Sequence, residues 1–261
     1  MADVGFEQKL LSHSFKIIDS HAHLGSYSRF HIEQGGIEEL IRQMDRIKVE
    51  KITISPMIGL QTDAKLANDI THECIKQYPS RVWGMATLNP NREGEVIDEL
   101  ERCFDTLGMT LIKLHPEESK CPMSRKVYEK VYAFAQERSL PILNHDWQSP
   151  ERLAKLAETY PAVRFVQAHN GGNWDGKRED PYFDLARDHE HIYIDICASP
   201  IFYDALEKLV EYVGPKKILF GSDAPFLNLA FEVGKVILSN LSDDDKQLIF
   251  ADNFLRMIGQ E

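Results

Sequence analysis

The sequence has few cysteines, no long apolar run and no concentration of positive charge. Its four cysteines, Cys74, Cys103, Cys121 and Cys197, are scattered without a Cys-x-x-Cys pair. This spacing argues against a disulfide framework and against a zinc site built from thiolates, so we expect reduced thiols. Apolar runs such as residues 192–198 are far shorter than the roughly 18–20 residues that a membrane helix needs.

Positive charge is scarce along the whole chain. The 261 residues include 30 Lys and Arg against 41 Asp and Glu, which gives a formal net charge of −11. No basic run is available to neutralise phosphates, which disfavours nucleic acids and anionic membrane surfaces as partners. Residues 1–7 show no basic-then-apolar signal pattern. We therefore expect a cytoplasmic protein that acts on a small-molecule substrate, with a homodimer left open.

Eight short β-rich runs recur along the chain, separated by amphipathic helical stretches. The runs cover residues 16–24, 51–57, 81–88, 109–115, 141–145, 163–169, 192–198 and 217–223. Stops such as Leu107-Gly108 and Tyr160-Pro161 lead from a helical stretch into the next run. This alternation over about 250 residues predicts an α/β protein with a single (β/α)8 TIM barrel domain over residues 1–261. A doubly wound sheet is the main alternative, but the glycine-rich phosphate loop that usually accompanies it is missing from the sequence.

Histidine, lysine and aspartate residues cluster at the carboxyl ends of these runs, where (β/α)8 barrels place their active sites. The cluster comprises His21, His23, Lys113, His115, His145, His169, Asp195 and Asp223. In the first run, alternation predicts Asp19, His21 and His23 on one face and Ile18 and Ala22 on the face towards the helices. We therefore expect the polar side chains to meet at the mouth of the barrel.

Two histidines separated by one residue, His21 and His23, close the first run. Residues two apart on a strand share a face, and two imidazoles beside a carboxylate are a common way to hold a divalent transition metal. Composition alone predicts roughly 0.4 such pairs by chance. The chain also has a second pair, His189 and His191, which precedes its strand. We expect this second pair at the end of the barrel that serves stability.

Seven segments, including Ile18-Asp-Ser-His-Ala-His-Leu24 and Leu219-Phe-Gly-Ser-Asp-Ala-Pro225, carry a family resemblance. They occupy residues 18–24, 111–116, 141–145, 168–172, 194–195, 219–225 and 252–256. In these segments the chain resembles the amidohydrolase superfamily, in particular its amidohydrolase-related branch. That branch contains metal-dependent hydrolases and decarboxylases of the aminocarboxymuconate-semialdehyde type. The resemblance implies one metal ion held by His21, His23, His145 and Asp223, with His169 as acid/base.

Three histidines and one carboxylate around zinc leave room for a water whose pKa the ion lowers to about 7. We expect one divalent ion, with Zn²⁺ favoured over Mn²⁺ and Fe²⁺. His169 is the expected general base, and Asp223 is expected to ligate the ion and to accept a proton from the water. Structural alternatives are hydrogen-bonded core histidines and, for Asp223, the N-cap of a helix.

Lys113 has several open roles. In binuclear relatives a strand-4 lysine is carbamylated and bridges two ions, whereas a free ammonium fixes a substrate carboxylate or pairs with Asp195. Asp19 is expected to orient a ligand histidine. The candidates for contact with substrate are Lys113, His115, Trp147, Trp174 and Arg29.

Hydrolysis and decarboxylation can use the same ligands, so both are open to this residue set. We predict a hydrolase that cleaves an amide, ester or lactone bond of a small carboxylated molecule through metal-bound hydroxide. The alternative is a metal-dependent non-oxidative decarboxylase of a small aromatic or keto acid. A third alternative is a catalytically inactive metal-binding barrel, but the intact set of ligands and acid/base groups argues against it.

Overall fold

Eight parallel strands form one sheet in chain order in the computed structural model, which describes residues 6–169, 180–198 and 204–260. The strands are β1 (Ile18–Leu24), β2 (Lys51–Pro56), β3 (Val82–Thr87), β4 (Leu111–Leu114), β5 (Pro141–Asn144), β6 (Arg164–Gln167), β7 (Ile192–Asp195) and β8 (Ile218–Leu219). Each strand pairs in parallel with the next. Every strand lies within its predicted run, and the (β/α)8 barrel is confirmed.

Helices alternate with the strands. In the described residues they are α1 (Phe6–Ser12), α2 (Ile37–Arg46), α3 (Met57–Gln61), α4 (Ala64–Gln77), α5 (Val96–Asp105), α6 (Val127–Arg138), α7 (Pro150–Thr159), α8 (Pro181–Asp188), α9 (Ala205–Val213), α10 (Leu229–Ile237), α11 (Asp243–Gln247) and α12 (Asn253–Ile258). The residues at the start of α7 show why a helix begins there. Ser149 caps the helix by accepting a hydrogen bond from the Arg152 N–H, and Pro150 occupies the first helical position. Among the described helices, none is long and apolar enough to cross a bilayer.

The barrel is closed by backbone hydrogen bonds between β1 and the residues at and beyond the end of β8. The Ser20 N–H donates to the Phe220 carbonyl oxygen at 3.0 Å, and the His23 N–H donates to the Ala224 carbonyl oxygen at 2.7 Å. These bonds continue the hydrogen bonding of the sheet across the junction of β1 with β8 and the residues after it, here called the seam. The first and last strands are therefore neighbours, and their polar ends face one another.

Gly221 allows the chain after β8 to approach β1 closely. A β-carbon at this position would lie 2.8 Å from the His21 β-carbon and 3.1 Å from Asp195 Oδ1, which only glycine avoids. Asp19 adds a side-chain link across the seam, because it accepts hydrogen bonds from the backbone N–H and the hydroxyl of Ser222. The chain after β8 therefore packs directly against His21.

Buried apolar side chains form two layers, one between the strands and the helices and a smaller one inside the barrel. The inner layer includes Ile18 and Leu111, the first residues of their strands, together with Phe254 and Met257 of α12. Apolar groups therefore fill the barrel from the amino-terminal ends of the strands. The opposite end remains for the polar residues.

The predicted alternation along β1 is wrong at its beginning. Ile18 was expected to face the helices, but it packs in the inner layer. The pairing between β1 and β2 shifts register between Asp19 and Ala22, which is a β-bulge. This irregularity changes the phase of the strand, so that His21 and His23 point inwards while Ala22 packs in the outer layer.

Candidate metal centre

His21, His23 and Asp223 form a tight buried group across the seam of the barrel. The Nε2 atoms of the two histidines are 3.2 Å apart, and Asp223 Oδ1 lies 3.2 Å from His23 Nε2 and 3.8 Å from His21 Nε2. Donor atoms bound to one zinc-sized ion are separated by roughly 3.3 Å when each bond is about 2.0–2.1 Å. The spacing of the three atoms therefore suits one divalent ion.

The outer nitrogens of both histidines are fixed by acceptors. The Nδ1–H of His21 donates to Asp195 Oδ2 at 2.5 Å, and the Nδ1–H of His23 donates to the Ser55 carbonyl oxygen at 2.9 Å. Each ring therefore turns an Nε2 lone pair towards the Asp223 carboxylate. Three converging acceptor atoms are the arrangement that a cation satisfies, so this group fits a metal ion.

Asp195, and not Asp19, orients the ring of the candidate ligand His21. The expectation for Asp19 is wrong because its carboxylate accepts from the His21 backbone N–H and from Ser222 at the seam. Asp195 ends β7 and reaches the His21 ring from the opposite side of the site. Both side chains of the His21–Asp195 pair are fully buried.

Burial and local charge keep the group in metal-binding protonation states. Burial would raise the pKa of Asp223, but the hydrogen bond and positive charge that a protonated His23 supplies outweigh it, and the pKa lies well below its ordinary value of 3.8. A metal ion would supply this positive charge in place of the proton on His23 Nε2. Burial, and then the neighbouring Lys113 ammonium, lower the pKa of His21 well below 6.5. An ionised carboxylate and a neutral imidazole are the forms that coordinate metals.

Lys113 lies buried at the end of β4, directly beside the histidine pair. Its Nζ is 2.6 Å from His21 Nε2, the nitrogen that faces the other candidate ligands. Burial lowers the pKa of Lys113 from 10.5 to about 8. Because an ammonium and a metal ion compete for the same His21 lone pair, a bound ion requires Lys113 to move away from this nitrogen.

His145 and His169 form a second histidine pair at the ends of β5 and β6. His145 Nδ1 and His169 Nε2 are 3.0 Å apart, and the His115 ring stacks on His145 with centroids 3.9 Å apart and planes 11° apart. The His169 ring centroid is 5.3 Å from that of His21. The second pair therefore adjoins the first one through His169.

Within the described ranges, four residues bring possible metal-binding atoms within 4.8 Å of one another. They are His21, His169, Cys197 and Asp223. Cys197 was not expected at the site. His169 and Asp223 both have a φ of 57°, in the left-handed region that non-glycine residues seldom adopt. These backbone conformations occur directly at the strand ends that supply the donors.

A stack of aromatic rings covers one side of the histidine pair, and sequence reasoning missed its central ring, Phe226. The Phe226 ring stacks on His23 with centroids 5.0 Å apart and on Phe30 with centroids 5.6 Å apart. Tyr27 packs against Phe226, and its hydroxyl donates to Glu118 Oε1 at 2.7 Å. The available signal was the position of Phe226, three residues beyond the strand-end Asp223.

The family model described as amidohydrolase matches residues 18–260. The chain belongs to the amidohydrolase family. Among curated proteins, gamma-resorcylate decarboxylase from Polaromonas sp. strain JS666 is 23% identical over 288 residues. That alignment covers 84% of this chain and 82% of the relative.

Solved structures of decarboxylases share the fold of this amidohydrolase. Dihydroxybenzoic acid decarboxylase from Polaromonas sp. JS666, with bound manganese and the inhibitor 2-nitroresorcinol, gives a TM-score of 0.75 at 16% identity, over 94% of this chain and 97% of that one. A second structure is 5-carboxyvanillate decarboxylase from Novosphingobium aromaticivorans, complexed with manganese and 4-hydroxy-3-methoxy-5-nitrobenzoic acid. It gives a TM-score of 0.77 at 13% identity, over 94% of this chain and 96% of that one. At such identities the likeness establishes the fold alone.

These comparisons overturn the prediction of a hydrolase. The relatives are named decarboxylases, and the two structures described above contain manganese, not the favoured zinc. The resemblance to the amidohydrolase superfamily is confirmed. Because the same ligands serve both reactions, the residue pattern could not discriminate between them.

One expected substrate contact, Trp147, lies elsewhere, whereas the guanidinium carbon of Arg29 lies 5.7 Å from the centroid of the Tyr27 ring in the aromatic stack. Trp147 is fully buried, and its Nε1–H donates to the Val166 carbonyl oxygen at 3.3 Å, so it belongs to the core and not to the substrate wall. Arg29 is exposed, and its Nη2 lies 3.5 Å from Glu117 Oε1. Trp174 falls outside the described residues.

The second His-x-His pair lies apart from the site. His189 and His191 precede β7, at the amino-terminal end of the strand. The Nε2 of His191 is 2.9 Å from the Ala157 carbonyl oxygen of α7. This pair therefore helps to pack a helix against the barrel.

Proposed function

We propose that this member of the amidohydrolase family is a metal-dependent, non-oxidative decarboxylase. Its substrate would be a small aromatic acid with a hydroxyl group ortho to the carboxylate. The observation that carries the proposal is the similarity to gamma-resorcylate decarboxylase, which covers 84% of the chain. The buried acceptor group at the barrel mouth and its aromatic cover support the same reaction class.

His21, His23 and Asp223 would hold one divalent ion, with His145 as the fourth ligand. When bound, such an ion acts as a Lewis acid that draws electron density from the hydroxyl and carboxylate oxygens of the acid. Imidazole and carboxylate donors suit manganese, iron and zinc alike. We favour manganese because two related decarboxylase structures contain it.

Lys113 supplies positive charge for the substrate carboxylate. Its ammonium is buried beside His21, where low polarity strengthens its attraction for an anion. With a pKa of about 8, the side chain remains largely protonated at neutral pH. In this role Lys113 orients the carboxylate before carbon dioxide leaves.

His169 supplies the proton that replaces carbon dioxide. Decarboxylation breaks the bond between the ring carbon and the carboxylate, and a new C–H bond must form at the same carbon. His169 ends β6 next to both histidine pairs. Burial lowers its pKa below 6.5, so its protonated form is a stronger acid than free imidazole.

The rings of Tyr27, Phe30 and Phe226 favour a flat substrate. They line the side of the site next to His23, and aromatic rings pack well against other aromatic rings. An aromatic acid therefore fits this wall better than a flexible keto acid.

The test uses metal-loaded protein and a panel of ortho-hydroxybenzoates that includes 2,6-dihydroxybenzoate. We expect release of carbon dioxide and, in deuterated water, one deuterium at the ring carbon that carried the carboxylate. Methyl esters of the same acids serve as matched compounds for hydrolysis. If no acid in the panel loses carbon dioxide, the proposal is wrong, and ester cleavage alone would contradict it in the same way.

His169→Gln should lose decarboxylation, whereas His191→Gln is the matched control. Both substitutions remove one imidazole, but His191 contacts α7 and not the site. Equal turnover in the two variants would contradict the assignment of the proton to His169. Metal content measured on both preparations separates loss of chemistry from loss of the ion.

A further inference from the structure

Cys197 places a sulfur atom inside the candidate metal centre. Its Sγ lies 3.1 Å from His21 Nδ1 and 3.2 Å from His169 Nδ1, and the residue is fully buried. Its own N–H donates to Asp195 Oδ1 at 2.6 Å, which fixes the backbone beyond β7. The ligand set of the proposed function, His21, His23, His145 and Asp223, does not use this sulfur.

We propose that Cys197 gives the centre a second way to hold a metal, in which a thiolate binds a thiophilic ion such as Zn²⁺ or Cd²⁺. The donors are His21, His169, Cys197 and Asp223, whose donor atoms lie within 4.8 Å of one another. A sulfur and a nitrogen bound to one tetrahedral ion are roughly 3.5 Å apart, given bonds of about 2.3 and 2.0 Å. The observed separation of 3.2 Å between Sγ and His169 Nδ1 needs a change of only a few tenths of an ångström. His21 would bind through Nε2, because its Nδ1–H donates to Asp195 Oδ2.

The two binding modes share His21 and Asp223 but use His169 differently. In the proposed catalytic mode His169 carries a proton, whereas in the thiolate mode it is a ligand. Binding of the ion to sulfur replaces the S–H bond by a sulfur–metal bond and releases one proton to solvent. The identity of the ion therefore decides whether the acid/base residue is available.

Ion chemistry separates the two modes. Thiolate ligands favour soft ions, whereas manganese favours oxygen donors and accepts imidazole. Manganese therefore leaves Cys197 as a thiol, and cadmium or zinc recruits it. This inference rests on the metal centre of the proposed function but not on decarboxylation, which is tested separately by release of carbon dioxide from the manganese-loaded protein.

The experiment titrates the metal-free full-length protein with Cd²⁺ and follows the sulfur-to-cadmium charge-transfer absorption in the ultraviolet. We expect this absorption to saturate at one ion per chain in the unmodified protein. Cys197→Ser should abolish it, and Cys74→Ser, which removes another buried thiol, should retain it. Binding of Cd²⁺ by the unmodified protein without the absorption would overturn the proposal, whether or not the Cys197 variant folds.

A competition titration with a chelator provides the second measurement. Cys197→Ser should weaken Zn²⁺ and Cd²⁺ binding by about 10- to 100-fold, as changes around metal sites commonly do. Manganese affinity should change much less, because manganese does not recruit the sulfur. An equal loss for all three ions would show that Cys197 only supports the structure and would contradict the thiolate mode.

Discussion

Asp195→Asn isolates the contribution of one carboxylate to metal binding. Asp195 Oδ2 is 2.5 Å from His21 Nδ1, and neither side chain is exposed. Asparagine keeps the size of the side chain and an oxygen that accepts the His21 proton, but it removes the negative charge. The variant should therefore fold while its His21 ring becomes a poorer electron donor to an ion.

The expected magnitude follows from the hydrogen bonds that Asp195 makes. A bond to a charged group contributes about 1.5–3 kcal/mol, against about 0.5–1.5 for a neutral one, so losing the charge costs about 1–2 kcal/mol. That is about 5- to 30-fold in affinity, at about 1.4 kcal/mol per tenfold. Asp195 also accepts the Cys197 N–H at 2.6 Å. One amide oxygen cannot serve both donors, so we expect the upper part of this range.

The assay is a chelator competition titration with Mn²⁺, and Glu232→Gln is the matched control. Glu232 is also a buried carboxylate, paired with Lys235 at 2.6 Å, and the substitution makes the same change of charge. Its affinity for manganese should stay within about twofold of the unmodified protein. Unchanged affinity in Asp195→Asn, or an equal loss in both variants, would refute the reasoning. Melting temperatures of the metal-free variants check that both remain folded.

Three further predictions concern the same centre. His21→Ala combined with His23→Ala should abolish metal binding and turnover, whereas His189→Ala with His191→Ala should cost only modest stability; equal losses of metal and turnover would contradict the placement of the two pairs. His169→Ala should retain manganese and lower turnover by about 10²- to 10⁴-fold, measured on one preparation, because a positioned proton donor is lost. Full turnover would leave His169 a structural role. Elemental analysis should find one divalent ion per chain, and two would indicate a binuclear centre.

The strands and their polar ends were predictable because the signals for them are local. Apolar periods and breakers mark where strands begin and end, and even β8, only two residues long, lies within its predicted run. In a parallel barrel all carboxyl ends meet at one edge, so residue position along a strand predicts proximity in space. His21, His23 and Asp223 come together for this reason.

Other features depend on geometry that no local pattern carries. Because of the bulge in β1, the Ile18 side chain points into the barrel instead of towards the helices. The loop after β5 places the Trp147 side chain in the core. Cys197 and His21 are in contact although 176 residues separate them in the sequence. The spacing of the cysteines therefore did not indicate that Cys197 lies at the site. The residue pattern also could not distinguish hydrolysis from decarboxylation, because both reactions can use the same ligand residues.

The seam between β1 and β8 has a consequence for the order of events during synthesis. Ser20 and Phe220, which bond across it, are 200 residues apart. The candidate ligands His21 and His23 lie on the first strand, and Asp223 follows the last one. A nascent chain with seven strands carries His21 and His23 but lacks Asp223. An ion held by all three residues, as proposed above, would therefore bind only the completed barrel. Such an ion would stabilise the contact that takes longest to reach along the sequence.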